Sequence, residues 1–181
     1  MALLLIGCAL ITALGTLGAL AVAGIPPASN RQDLVHERGS AIMPFDLNRT
    51  THVFKTTATG GIEIVIAKDA ADSEQIALIQ QHLQHEAMQF RAGNFSDPAA
   101  IHGANMPGLA ELATGAANIE FSYAKLPDGA RISYETSDPR LVDALHRWFA
   151  AQLTDHGHDA SGYSIGGQAS RLLMPMPLKV E

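Results

Sequence analysis

The chain has 181 residues, with 12 Lys and Arg against 18 Asp and Glu, for a formal net charge of −6. That length suits a single buried core and excludes a large two-domain enzyme. A negative balance without any basic run excludes nucleic-acid binding driven by bulk charge. The first charged side chain is Arg31, and residues 1–23 form an apolar leader ending in Ala21-Val22-Ala23 before Gly24. That ending has the small-x-small form of a signal-peptidase site. The expectation is an exported protein, periplasmic or otherwise extracytoplasmic. Two alternatives compete with cleavage after Ala23. One is an uncleaved membrane anchor, since the run is long enough to span a bilayer. The other is a lipoprotein, since Leu5-Ile6-Gly7-Cys8 resembles a lipobox. Either way, the membrane is met only through the N-terminal segment. Cys8 is the only cysteine. A chain without the leader has no disulfide, no Cys-zinc site and no cysteine nucleophile.

Residues 24–50, opened by Pro26-Pro27, read as an approach segment. The β-rich run Thr51–Thr56, a turn at Gly60-Gly61 and the alternating Ile62–Ile66 predict a hairpin. A long helix follows, capped by Asp72 or Ser73, with Gln75 placed for a capping box. Its apolar stripe is Ile76, Ile79, Leu83, Ala87 and Phe90, and Gly93 stops it. An insert comes next. Asp97-Pro98 starts one short helix that Gly103 ends, and Pro107 opens another with Leu109 and Leu112 inward. The pattern then repeats. Ile119–Tyr123 and Ile132–Tyr134 alternate around the turn Pro127-Asp128-Gly129, and Asp138-Pro139 caps a second long helix that Gly157 stops. Its stripe is Leu141, Val142, Leu145, Phe149 and Leu153. Ile76, Ile79, Leu83 and Ala87 align with Val142, Leu145, Phe149 and Leu153, which suggests an internal duplication. The predicted class is α+β. Two ββα units over residues 51–158 build a four-stranded antiparallel sheet, with both long helices on one face and a short helical insert between the units. Residues 159–181 read as a mobile tail.

The candidate ligands are His and Met. The chain has 8 His and 6 Met. Met43, Met106, Met174 and Met176 each precede proline, which keeps them out of helix interiors and in loops. Thioether and imidazole without thiolate suit copper, as Cu(I), in an oxidising compartment. The tightest unit is His102-Gly103-Ala104-Asn105-Met106 in the insert. His156 falls in line with Leu145 and Phe149 at the last turn of the second long helix, where it serves either as a cap or as a ligand. His146 lies at the edge of the same stripe. His82 sits at the edge of the first stripe, with His85 almost opposite. The Asp and Glu residues are scattered over caps and turns, so no carboxylate pair is nominated. No G-x-S-x-G elbow, phosphate loop or H-E-x-x-H helix occurs.

Three stretches carry a resemblance. They are Met43-Pro44-Phe45-Asp46-Leu47 running to His52-Val53-Phe54, then His102 with Met106-Pro107-Gly108-Leu109, and His146 with Trp148-Phe149 ending in Asp155-His156-Gly157. They resemble a group of short exported bacterial proteins often labelled aspartate carbamoyltransferase. The resemblance implies motif positions at Met43, His52, His102, Met106, His146 and His156. The label implies an enzyme of carbamoyl transfer. Against that enzyme's Ser-Thr-Arg-Thr-Arg loop and His-Pro segment, this chain has Asn48-Arg49-Thr50-Thr51 and no His-Pro. The first expectation is therefore a small exported binding protein for a transition metal, copper first. Its expected ligands are His102 and Met106, with Met43, His156, His52 and His146 in the wider set. A metal-free module for a protein partner of the cell envelope is the second expectation, and the labelled enzyme is the third.

Overall fold

A computed structural model describes residues 28–164. The leader at 1–23, Cys8, Met174 and Met176 lie outside the described residues. Five strands form one sheet: β1 (Thr50–Thr57), β2 (Gly60–Ala67), β3 (Glu120–Leu126), β4 (Gly129–Glu135) and β5 (Ala160–Ser164), in the order β3-β4-β2-β1-β5. β5 runs parallel to β1, while every other pairing is antiparallel. The α+β class is as expected, but the sheet is mixed and has a fifth strand. That strand comes from the start of the expected tail. Gly157, at φ 55, ends the second long helix and turns the chain so that Ala160 pairs with His52.

The helices are α1 (Ala28–Ile42), α2 (Ser73–Arg91), α3 (Ser96–His102), α4 (Leu109–Gly115) and α5 (Pro139–His156). Asp72 caps α2 by accepting from the Gln75 N–H, and Asp138 caps α5 by accepting from the Arg140 N–H, with Pro139 in the first turn. Gln75 does not close a capping box. Its Oε1 accepts from the Asp46 N–H at 2.7 Å instead, tying α2 to the entry of β1. α1 lies within the expected approach segment. It shows little apolar pattern, and Val35 is the deeply buried apolar residue among its described side chains. Polar ties hold it down, from Arg31 to Asp155, His36 to Asp159 and Gln32 to the Thr154 carbonyl.

Both long helices cover the same face of the sheet. Tyr134 of β4 touches Phe90 of α2 and both Trp148 and Phe149 of α5. The two halves exchange helices. α2 packs mainly on β3 and β4, while α5 packs on β1 and β2, and the hairpins meet where β2 pairs with β4. This is a pseudo-two-fold arrangement. The inner face holds Phe54, Val65, Ile132, Tyr134 and Phe121, all buried under the two helices. Register puts Glu63 on that face as well, opposite Phe54 on one side and Ile132 on the other. Ile62, Ile64 and Ile66 consequently face outward, half-buried. Among the described residues, no helix is long and apolar enough to cross a membrane.

Gly60-Gly61 is not the hairpin turn. Ala58 and Thr59 make the turn, and both glycines pair within β2. Gly61 instead serves packing, because a Cβ there would lie 2.4 Å from the Phe149 ring. Gly61→Ala is expected to lower stability by about 1–3 kcal/mol through overpacking. The Gly61→Ala, Phe149→Leu double variant should lose clearly less than the sum of its parts, because the two sites share one space. Urea unfolding of the four proteins checks this, and strict additivity would contradict the packing role.

Candidate functional site

Where the two helices meet over β1, the core turns polar. On β1, the period of two puts His52 on the inner face between Thr50 and Phe54, and its side chain is buried. From α2 come His82 and Glu86, one turn apart. Glu86 occupies the buried arc between Leu83 and Phe90. α5 contributes Trp148, Gln152 and His156 at successive turns of its buried face. His102 is the last residue of α3, and Met43 follows the end of α1. These residues, with Glu63 and Asp97, line one small cavity of about 40 Å³.

Three imidazoles are neighbours there. The His52 and His156 ring centroids are 4.9 Å apart, and those of His102 and His156 are also 4.9 Å apart. Phe45 flanks His52 at 5.9 Å and His82 at 5.5 Å. His102 is held from behind. Its Nδ1 lies 3.0 Å from Asp155 Oδ2. Arg31 grips the same carboxylate through Nε at 2.7 Å and Nη2 at 2.5 Å, and its Nη2 also donates to the His102 carbonyl at 2.8 Å. Burial pushes the Asp155 carboxyl up, but hydrogen bonds from Arg31 and His102 outweigh it and hold the group below the usual carboxylate range. An ionised carboxylate only accepts, so His102 donates through Nδ1 and its Nε2 keeps the free lone pair.

Burial also sets the charge of the other groups. It drives His52 well below the ordinary imidazole value, helped by His156, His82 and His102. His156 is pushed down to about 3, by burial first and then by His102. Burial takes His82 down to about 4. For His102, burial lowers the value and Asp155 opposes it. All four imidazoles are therefore neutral at pH 7, which is the form that donates to a metal. The carboxyls shift the other way. Burial lifts Glu63 to about 7, against the Tyr134 hydroxyl that donates to it at 2.6 Å. Glu86 rises to about 8 through burial, with Asp97 and Glu63 adding to the shift.

Among the described residues, four buried polar atoms have no hydrogen-bond partner in the protein: His52 Nδ1, Glu86 Oε1, Trp148 Nε1 and Gln152 Oε1. All four belong to residues that line this cavity. Among the described residues, no group of three His, Cys, Asp or Glu stands ready to hold a metal ion. His156 is adjacent to both His52 and His102, but the three rings do not converge on one point.

Of the expected ligands, His52, His102, His156 and Met43 come together here. Met106 does not join them. It packs in the core and lines a separate groove with Pro107 and Ala151. His146 is also elsewhere, with Nε2 at 3.0 Å from the carbonyls of Thr57 and Gly60, where it clamps the β1–β2 hairpin. His82, Glu86, Glu63, Trp148 and Gln152 are additions that the sequence reading did not select. One signal pointed to two of them: Glu86 and Gln152 each interrupt an apolar helical stripe at a buried position. Compared with known proteins, the chain matches no family model, no curated protein and no solved structure.

The opposed shifts predict a stability maximum. Histidine pKa values lie below the unfolded 6.5, so their contribution is complete above pH 6.5 and is lost as pH falls toward about 4 and about 3. Glu63 and Glu86 lie above the unfolded 4.5, so theirs is complete below pH 4.5 and is lost as pH rises through about 7 and about 8. Four imidazoles outweigh two carboxyls below pH 6.5, and only the carboxyls act above it. Stability without added ligand should peak near pH 6.5 and fall on the acid side by on the order of 1–3 kcal/mol per pH unit. Denaturant unfolding between pH 4.5 and 8.5 checks this. A steady rise through pH 8 would contradict it.

Proposed function

We propose that this protein binds a transition-metal ion in the buried cavity between β1, α2, α3 and α5. The observation that carries the reading is the cluster of neutral imidazoles among unpartnered polar atoms in a space of about 40 Å³. Pockets for organic ligands run to roughly 300–1,000 Å³, so the cavity suits an ion rather than carbamoyl phosphate with aspartate. Two imidazoles on one tetrahedral ion, each with a metal–nitrogen bond of about 2.0 Å, bring their ring centroids to about 5 Å apart. The spacings of 4.9 Å at His156 are of that size.

His52, His102 and His156 are the proposed ligands. Met43 is the soft donor on the cavity wall and keeps copper first among the candidates. Asp155 is a positioning residue. It fixes the tautomer and orientation of His102 while Arg31 keeps its charge in place. The reading takes the charge-free leader as an export signal or anchor, so the metal would be met outside the cytoplasm.

Titration calorimetry with Cu(I) under reducing conditions tests this. One ion per chain is expected. His102→Ala and His156→Ala should each weaken binding about 100-fold, and Asp155→Asn about 10–100-fold. Met106→Ala and His146→Ala should leave affinity unchanged. Failure of the wild-type chain to bind copper or another first-row transition metal, or equal binding by the His102→Ala, His156→Ala double variant, would contradict the reading.

A further inference from the structure

The three neighbouring imidazoles of the cavity are closed to solvent: His52 is 2%, His102 4% and His156 5% exposed. Anything that reaches them must displace a wall. The walls are not equally held. α2 and α5 are fixed through the interlocked rings of Phe90, Tyr134, Trp148 and Phe149. β1, β2 and β4 lie within the sheet, each paired on both sides. Apart from Met43, the remaining wall is α3, which supplies Asp97, Pro98, Ile101 and His102.

α3 has 7 residues, well short of the roughly 12–15 at which an isolated helix becomes even marginal in water. Its packing is mainly on α1, itself a helix held by polar ties. The two ends of α3 differ. At its start, Phe95 is buried and stacks on Phe90 at 4.6 Å, with Trp148 at 6.0 Å. That end is anchored in the aromatic core. At the other end Gly103 takes φ 94, which glycine adopts without strain, and a Cβ there would meet nothing within 4 Å. Beyond the buried Pro98 and Ile101, what holds this end is polar. Arg31 donates to the His102 carbonyl at 2.8 Å and grips the Asp155 carboxylate, to which the His102 ring is itself tied. Arg38 adds a longer contact to the Ile101 carbonyl at 3.4 Å.

We propose that α3 is a lid over the imidazole cavity, turning about Phe95 and latched at its His102 end by Arg31. The Arg31 side chain is 42% exposed, so the latch meets solvent while the imidazoles behind it do not. Opening breaks one partly exposed ion pair and its attendant hydrogen bonds, a far smaller step than unfolding the core. This inference concerns access to the cavity and stands whatever the cavity holds.

Native-state hydrogen exchange, together with carbethoxylation of His52 by diethylpyrocarbonate, tests it. The Gly103 N–H donates to the Ala99 carbonyl at 2.8 Å and reports the swinging end. His52 reports entry to the cavity, and the amides of β4 report global unfolding. In the wild-type protein, Gly103 exchange and His52 modification should follow one opening event that runs well ahead of β4 exchange. Arg31→Leu should speed both about 10-fold or more, with β4 following only the change in global stability. If that variant does not fold, the wild-type comparison decides alone: Gly103 and His52 responding only at the rate of β4 overturns the lid. So does Gly103 exchange that outpaces β4 while His52 stays unmodified, or an Arg31→Leu variant that accelerates all three alike.

Discussion

Leaving a polar atom unpaired inside a core costs about 1–3 kcal/mol, and among the described residues four buried atoms around one cavity find no partner in the protein itself. A domain's whole stability is on the order of 5–15 kcal/mol. Strain of that size persists when something compensates for it, and a ligand bound only by the folded state does so through mass action. The rest of the architecture is consistent with that constraint. Both long helices bring one polar interruption each to the same place. α3 ends on His102 there, and β1 supplies His52 from below. The surrounding shell is aromatic. Phe90, Tyr134, Trp148 and Phe149 interlock and leave little room for the site to collapse.

Asp155 links the cavity to the outer helix. It joins His102 to Arg31, so α1 is tied to the same carboxylate that orients a proposed ligand. Asp159 repeats the device, with His36 of α1 on its Oδ2 at 2.8 Å. α1 thus straps the α5 terminus and the end of α3 together, although it buries little apolar surface of its own. Local order at the cavity and docking of α1 are one property in this fold.

Much of the fold was legible in the sequence, because caps and apolar stripes are local signals. Asp72, Asp138-Pro139, Gly93, Gly103 and Gly157 mark helix ends within a residue or two of where they occur. α1 and β5 were not legible. Polar ties across the chain hold α1, and β5 exists only because β1 offers it an edge. Alternation showed that β2 has two faces but not which faces inward. Pairing with β1 decides that, and it turns Glu63 rather than the isoleucines toward the core. The site was legible in part for a related reason. Residue type brought forward His102, His156 and Met43, and the resemblance added His52. Met106 and His146 carry the same chemistry but satisfy packing and a hairpin clamp instead. Glu86 and Gln152 interrupt apolar stripes that are visible in the sequence, but only the placing of the helices shows that the two interruptions meet.

The proposed function depends on whether the imidazoles around His156 hold a metal ion. X-ray absorption at the copper edge of the loaded full-length protein tests it most directly. Imidazole scattering from His52, His102 and His156 is expected, with nitrogen at about 2.0 Å, and it should be lost in the His102→Ala, His156→Ala double variant. A first shell of oxygen alone without imidazole scattering, or a spectrum unchanged by that double substitution, would contradict it.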